Sequence, residues 1–377
     1  MLKVATLTFV FVNSVALVRL KTNVSSLAVL MMLCLLTGCE SLGYYSHVAK
    51  GQWQLLQARQ PIAELVVNPA TDAHLKQRLR SIQMMRSFAS RELLLADNSY
   101  RDYVALDRPY VVWNVFAASA FSVTPEQWCF PVAGCVSYRG YFSEQKARNF
   151  AEGLSTQGYE VYVAGVSAYS TLGWFDDPVL STFLYRDDIQ LAGLIFHELA
   201  HQLLYVAGDT TFNESFASTV EQEGIRRWLQ YQQQPEQQSA LVLQQYFRHQ
   251  QMQQDFVTTL LDLREQLNNL YQKPLNHQSM RIKKQQLLAA FKSGSYQVFK
   301  ARWQTDRYDK WIESGLNNAK LSTVASYHQW LPAFEQLLIL SEDLTDFYQR
   351  AIKLSKLSPE LRQQALQSLL NKHQQLN

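Results

Sequence analysis

The sequence predicts an α+β protein in which a small mixed core lies between two helical regions. Apolar residues recur at helical spacing in residues 39–105, and residues 233–377 are almost purely helical in pattern and rich in glutamine. Between them, residues 106–232 contain β-branched and aromatic runs, which are typical of buried strands. We therefore expect a small α+β core at 106–232 with helices before and after it.

Short elements follow one another in the first half of this core. The run from Tyr110 to Phe116 predicts a buried strand, and further short strands are expected at 135–142 and 160–166. Ser143 is a typical N-cap, so we expect a helix from Ser143 to Gln157 between the last two strands.

Two helices complete the core. Asp187 and Asp188 precede a strong helical pattern that runs from Ile189 to about Val206. A second helix is expected to begin near Thr211 or Asn213 and to continue to about residue 230. The short connection between them indicates a helix-turn-helix unit.

The first 38 residues are typical of a targeting segment. A basic flank precedes the apolar run Leu27–Leu36, which ends in Leu-Thr-Gly-Cys39. This tetrapeptide resembles the bacterial lipobox, in which the cysteine is lipidated and becomes the first residue of the mature protein. An ordinary membrane anchor is the alternative. Because Glu40 is not the aspartate associated with inner-membrane retention, we expect a lipoprotein that faces the periplasm from the outer membrane.

Composition and charge exclude several classes of protein. The chain has 377 residues, is 47% hydrophobic and 18% charged, and contains 14 Gly and 10 Pro, which excludes a disordered or collagen-like protein. The formal charge of +3 comes from Lys3, Arg19 and Lys21, since residues 1–38 contain no acid. A neutral mature chain gives no electrostatic basis for nucleic acid as a partner.

Cys129 and Cys135 are the only cysteines that follow Cys39. The segment between them contains proline and glycine, which favour a turn, and export places the pair in an oxidising compartment. We expect a local disulfide. Zinc binding is the alternative, but no second pair of cysteines exists to complete a thiolate site.

The segment His197-Glu198-Leu-Ala-His201 carries the clearest chemical signal. On a helix the two histidines lie one turn apart on the same face, so both imidazoles reach one Zn²⁺. Glu198 is rotated by about 100° from His197, which places its carboxylate beside the metal. There it is suited to take a proton from the attacking water and to pass it to the leaving amine.

A third ligand is expected because catalytic zinc usually has three protein ligands. Glu214 follows Asn213 at the start of the next predicted helix, where its carboxylate can face the two histidines. A solvated carboxylate or a partner of the helix dipole is the alternative for Glu214. Glu221 lies two turns further along the same face, so we expect it to accept a hydrogen bond from a ligand histidine.

These motifs resemble those of the gluzincin metallopeptidases, which include thermolysin and the aminopeptidase N group. In that class a downstream Asn-Glu, here Asn213-Glu214, supplies the third ligand. The sequence is more similar to a family of bacterial lipoproteins described as zinc-dependent aminopeptidases, over nearly all of the mature chain, with shared segments at 129–135 and 327–330. The resemblance implies a zincin-like core, formed by a small sheet, an active-site helix and a glutamate helix.

Two differences limit this resemblance. Fewer residues separate His201 from Glu214 than in the aminopeptidase N group, and the Gly-Ala-Met-Glu-Asn signature that binds a free N-terminus there is absent. Candidates for stabilising the oxyanion are Tyr169, in the expected edge strand before the active-site helix, and Tyr327 and His328 in the C-terminal region. Packing is the alternative for each of them.

We therefore expect a zinc metallopeptidase that acts on peptide substrates in the periplasm, held to the membrane through Cys39. Two other functions are compatible with the sequence: a non-catalytic lipoprotein that uses a zinc-bound fold as a scaffold, and a hydrolase of cell-wall amides. Glu198 favours catalysis over scaffolding, because zinc binding alone does not require a glutamate at that position.

Overall fold

The structure is a computed structural model. It describes residues 42–130, 134–168, 171, 175–232, 235–324 and 329–376. The chain divides into two compact units, residues 1–50 and 51–377. The described part of the first unit is helical, and the signal segment and Cys39 lie outside the described residues. Among the helices that the structure describes, none combines the length and the apolar character needed to cross a membrane.

The second unit begins with helix α1 at 51–57. Strand β1 (Gln60–Pro61), helix α2 (Ile62–Val67) and helix α3 (Ala73–Glu92) follow. The Asp72 side chain caps α3 by accepting a hydrogen bond from the Leu75 amide at 2.9 Å. The face of α3 that the helical spacing predicted is buried, and it consists of Leu79, Ile82, Met85 and Phe88.

The central sheet has three antiparallel strands, and the middle strand of the three is the first in the chain. Strand β3 (Val112–Ser119) pairs with β6 (Arg139–Tyr141) on one side and along its whole length with β7 (Tyr159–Val166) on the other. Helix α4 (Glu144–Thr156) connects β6 to β7, and Ser143 caps it as expected. The mixed α+β class predicted from the sequence is thus confirmed.

Smaller strands form two further sheets. Strand β2 (Asp102–Val104) pairs with β1 antiparallel and with β8 (Val179–Leu180) parallel. Strands β4 (Trp128–Phe130) and β5 (Gly134–Val136) form a hairpin, in which Cys129 and Cys135 face each other and are joined by a disulfide.

Helices α5 (Ser181–Leu184), α6 (Asp188–Leu203) and α7 (Thr210–Tyr231) follow the sheets. Helices α6 and α7 lie in contact, and their interface depends on small residues. A Cβ atom at Gly224 of α7 would lie 2.6 Å from the Phe196 ring of α6. Phe196 in turn packs with Phe88 and Trp228, at ring centroid distances of 5.6 and 6.5 Å.

The C-terminal region is helical, as its pattern predicted. Its helices are α8 (Glu236–Tyr271), α9 (His277–Ser293), α10 (Ser295–Trp303), α11 (Asp309–Glu313), α12 (Asn318–Ser322), α13 (Leu331–Ile339), α14 (Leu344–Ser355) and α15 (Pro359–Leu376). Helices α8 to α12 enclose a core that includes Phe256, Leu260 and Phe291. Helix α12 also packs on β3 and β7, which joins this region to the central sheet.

Candidate metal centre

Helix α6 presents His197 and His201 from a buried support. The Asp187 side chain caps the helix by accepting from the Gln190 amide at 2.8 Å. The side chains of Ile195, Leu199 and several neighbours are fully buried, so the helix has one fixed orientation. The two imidazole rings lie one turn apart with centroids 4.8 Å from each other.

Helix α6 ends at Leu203, three residues before the predicted end at Val206. The physical reason is a contact from the next helix. The Asn213 carboxamide donates to the Val206 carbonyl and accepts from the Val206 amide, both at 2.8 Å. These bonds hold the chain in an extended path after Leu203, because Val206 can no longer take part in the helical ladder.

Helix α7 begins at Thr210, one residue before Thr211, the earlier of the two expected starts. Asp209 caps it by accepting from the Phe212 amide at 3.1 Å, so Glu214 lies in the second turn rather than at the helix start. The expectation that Glu214 opens the helix is therefore wrong by about one turn. Its carboxylate nevertheless points at α6, because Asn213 fixes the turn between the two helices.

Side-chain atoms of His197, His201 and Glu214 converge on one point. The His197 Nε2 atom is 3.2 Å from Glu214 Oε2, and the His201 Nε2 atom is 3.7 Å from Glu214 Oε1. All three donor atoms lie within 4.8 Å of one another. Ligands at 2.0–2.2 Å from a tetrahedral ion are about 3.4 Å apart, so the spacing fits a metal ion.

Glu221 lies behind His197, as expected for a residue that orients a ligand. Its Oε2 atom is 3.1 Å from His197 Nδ1, so the Nδ1–H group donates to the carboxylate and Nε2 faces Glu214. The other oxygen, Oε1, accepts from the Tyr246 hydroxyl at 3.0 Å. Gly193 makes room for this carboxylate, because a Cβ atom there would be 3.0 Å from Oε1.

The two histidines differ in protonation. Burial alone would lower the pKa of His197, but hydrogen bonds to Glu214 and Glu221 raise this pKa well above its ordinary value. Burial and, less strongly, the nearby His197 cation lower the pKa of His201 to about 4, against the opposing effect of Glu214. Without metal, His197 is thus a cation between two carboxylates, whereas His201 is neutral.

Glu198 is partly buried beside this group. Burial raises the pKa of the Glu198 carboxyl to about 7, with His197 opposing the shift and Glu214 and Asp177 adding to it. A carboxyl group that titrates near neutrality is suited to accept and release a proton.

The segment that precedes β2 covers the Glu198 side of α6. Gln202 lies one turn after Glu198 and donates to the Ser99 hydroxyl at 2.8 Å, and the Asp177 amide donates to the same oxygen at 3.0 Å. The next residue, Tyr100, is buried with a left-handed backbone (φ 61°) and donates its amide to the Asp177 carbonyl. Burial, Glu198 and Asp177 raise the pKa of Tyr100 well above its ordinary value.

A comparison with protein families fits this geometry. The family model described as "Putative aminopeptidase" matches residues 43–366. The chain belongs to this aminopeptidase family. The aminopeptidase part of the sequence resemblance is therefore confirmed, and the match supports peptidase activity. Comparisons with curated proteins and with solved structures gave no match.

In this aminopeptidase family member, the candidate metal group formed by His197, His201 and Glu214 opens into a cleft of about 300 Å³. His197, Glu214 and Glu221 form one end of the cleft. Gln222 of α7 and Gln250 of α8 contribute side chains to its wall, so the C-terminal helical region takes part in the site.

The structure brings together His197, Glu198, His201, Glu214 and Glu221. It does not test the proposed oxyanion residues, because Tyr169, Tyr327 and His328 lie outside the described residues. Two residues further along the chain, the Trp330 amide donates to the Ser215 hydroxyl at 3.2 Å, next to Glu214.

Sequence reasoning missed Tyr246, Tyr100 and Gly193. Tyr246 lies in a glutamine-rich helix whose pattern indicated only a solvated face. Tyr100 reaches the site through long-range contacts that leave no local pattern. Gly193 gave the one usable signal, since a glycine inside a strong helical pattern indicates close packing.

Proposed function

We propose that this protein is a zinc metallopeptidase that hydrolyses peptide bonds with Glu198 as its general base. The observation that carries the proposal is the convergence of His197, His201 and Glu214 beside Glu198. Two imidazoles and one carboxylate form a donor set that zinc peptidases use, and they leave one position of a tetrahedral ion open for chemistry.

The proposed role of zinc is limited to what its charge supplies. When bound, it polarises the scissile carbonyl and lowers the pKa of a coordinated water. His197 and His201 would hold it through Nε2, and Glu214 through a carboxylate oxygen. Their arrangement between a capped helix and a turn fixed by Asn213 keeps the ligands in place before the metal arrives.

The proposed role of Glu198 is proton transfer. Its carboxylate takes a proton from the attacking water and passes it to the leaving amine as the peptide bond breaks. Its place on α6 supports this role, because the residue next to His197 on a helix lies beside the metal ligands rather than among them. The fold around it supports a zincin-like core, in which α6 is the active-site helix and α7 is the glutamate helix.

The family description supports cleavage from a free amino end, that is, an aminopeptidase. An aminopeptidase needs a group that recognises the free amine. Amino-acyl reporters and N-blocked peptides of the same sequence separate this activity from internal cleavage.

The proposed location follows from the N-terminal sequence. Lipid on Cys39 would anchor the protein in the outer membrane with the catalytic unit in the periplasm, which agrees with the Cys129–Cys135 disulfide. Mass spectrometry of the membrane fraction tests this directly. An uncleaved chain with an unmodified Cys39 would remove the anchor from the proposal.

The exchange Glu198→Gln tests the mechanism in the full-length chain. We expect hydrolysis to fall by about 10²–10⁴-fold while bound zinc stays at the wild-type level, since the base is lost and the ligands remain. Glu152→Gln, at an exposed position of α4, is the matched control and should leave both quantities unchanged. A Glu198→Gln enzyme with wild-type activity would contradict the assigned mechanism.

Hydrolysis of muropeptides but not of peptides by the wild type would instead support a cell-wall amide hydrolase. Zinc binding by the wild type, without hydrolysis of either substrate class, would support the scaffold function.

A further inference from the structure

The Glu221 carboxylate has two partners on opposite sides. Its Oε2 atom accepts from His197 Nδ1 at 3.1 Å, and its Oε1 atom accepts from the Tyr246 hydroxyl at 3.0 Å. Tyr246 is 8% exposed and belongs to α8, which is part of the C-terminal helical region. A continuous line of hydrogen bonds therefore runs from α8 through Glu221 to His197.

This line fixes the carboxylate more firmly than His197 could alone. A glutamate side chain rotates readily about its terminal bond, so one hydrogen bond leaves its plane free to turn. The Tyr246 hydroxyl holds the second oxygen, and α6 comes so close at Gly193 that a Cβ atom there would lie 3.0 Å from the same oxygen. The carboxylate is thus held at both oxygens, with little free space on the side of α6.

The fixed carboxylate determines which way the His197 ring faces. With Oε2 accepting from Nδ1–H, Nε2 is the nitrogen that is left to bind a metal ion once its proton is released, and it points at Glu214. Burial and the nearby Glu221 raise the pKa of Tyr246 well above its ordinary value, so its hydroxyl stays protonated and keeps donating. A hydroxyl at this position therefore keeps the His197 ring in the orientation that presents Nε2 to a metal.

We propose that Tyr246 is a positioning residue of the metal centre, which acts through Glu221 on His197 and makes metal binding depend on helix α8. The inference rests on the metal site of the proposed function. A tyrosine that serves only to pack α8 would need its ring but not its hydroxyl, and this difference provides the test.

The test compares two hydroxyl deletions on the same helix. Tyr246→Phe keeps the ring and removes the bond to Glu221. Tyr271→Phe is the matched control, because the Tyr271 hydroxyl donates at 2.9 Å to Asn318 Oδ1, away from the metal group. Both are made in the full-length chain, and zinc affinity is measured by competition with a chromogenic chelator.

We expect Tyr246→Phe to lower the affinity for Zn²⁺ by about tenfold, the usual effect of removing a group that orients a metal ligand. Tyr271→Phe should stay within twofold of the wild type. Adding Tyr246→Phe to Glu221→Gln should cause little further loss, since both changes act on the same line of contacts. Equal affinities for Tyr246→Phe and the wild type, or equal losses for both phenylalanine variants, would overturn the inference.

A metal-free measurement keeps this test separate from the proposed function. The ¹⁵N shifts of His197 in chelator-treated protein report how strongly each ring N–H group is hydrogen-bonded. We expect Tyr246→Phe to change these shifts and Tyr271→Phe to leave them unchanged. If the wild type binds no zinc, the proposed function fails, whereas unchanged His197 shifts in Tyr246→Phe would overturn the role of Tyr246 alone.

Discussion

His197 and His201 are the two histidines of the motif, but they differ in the groups that surround them. His197 lies between two carboxylates, which hold both ring nitrogens and raise its pKa well above the ordinary value. His201 is buried, its pKa falls to about 4, and its Nδ1 atom has no hydrogen-bond partner among the described residues.

This difference corresponds to two ways of preparing a ligand for the proposed metal. Hydrogen bonds aim the His197 ring, which must release a proton before its Nε2 atom can bind a cation. Packing holds the His201 ring, which is already neutral at pH 7. Hydrogen bonds to charged groups therefore determine the state of His197, whereas burial determines the state of His201.

The largest expected difference between His197 and His201 is in their contribution to the free energy of unfolding of the metal-free protein. His197→Ala leaves Glu214 and Glu221 without the cation between them, and we expect a loss of about 3 kcal/mol, since an unpaired buried charge is costly. His201→Ala removes a buried ring that has no partner at Nδ1, and we expect a loss of about 1 kcal/mol. Urea unfolding with chelator at pH 7 measures both.

Loss of zinc binding in both variants serves as the control for this experiment, because each removes a ligand. Equal losses of stability would show that the carboxylates around His197 contribute nothing beyond packing.

The contributions of His201 and His197 to stability should also depend on pH in different ways. The pKa of His201 is about 4 in the folded protein against 6.5 for an ordinary histidine, so the folded state binds fewer protons in this interval. The stability of the folded protein therefore falls as pH decreases from 6.5 toward 4. Between pH 6.5 and 5 the wild type should lose about 1.6 kcal/mol relative to His201→Ala.

The stability that His197 contributes changes with pH in the opposite direction. Because its folded pKa is raised, its contribution is fully present below pH 6.5 and is lost as pH rises through the folded pKa. The loss caused by His197→Ala should accordingly shrink between pH 6 and pH 9. Unfolding of each variant beside the wild type across this range checks both signs, and a parallel pH dependence for the two would refute the assignment.

A smaller effect is expected from Gly193→Ala, which acts only on the His197 side. The new Cβ would lie 3.0 Å from Glu221 Oε1 and must displace the carboxylate. We expect zinc affinity to fall several-fold, because His197 loses its fixed orientation. Gly153→Ala in α4 is the matched control, since no atom lies within 4 Å of its Cβ position. Wild-type affinity in Gly193→Ala would show that Glu221 can move without consequence for the metal.

Elements with local signals could be predicted from the sequence. Ser143 and Asp187 cap their helices as expected, because an N-cap acts on backbone groups only two or three residues away. The sheet formed by β1, β2 and β8 was not predicted, since strands of two or three residues have no periodic pattern and pair with distant segments. The end of α6 was misplaced because Asn213, ten residues beyond Leu203, decides it.

The sequence by itself determined that His197 and His201 share one helical face with Glu198 beside them, because helix geometry fixes the direction of residues four positions apart. Only the tertiary structure decided that Glu214 and Glu221 stand on either side of His197, that Tyr246 reaches Glu221 from the C-terminal region, and that the two histidines carry different charge. The reason is physical: the charge of a buried imidazole depends on the groups that surround it in space, and these come from segments far apart in the chain.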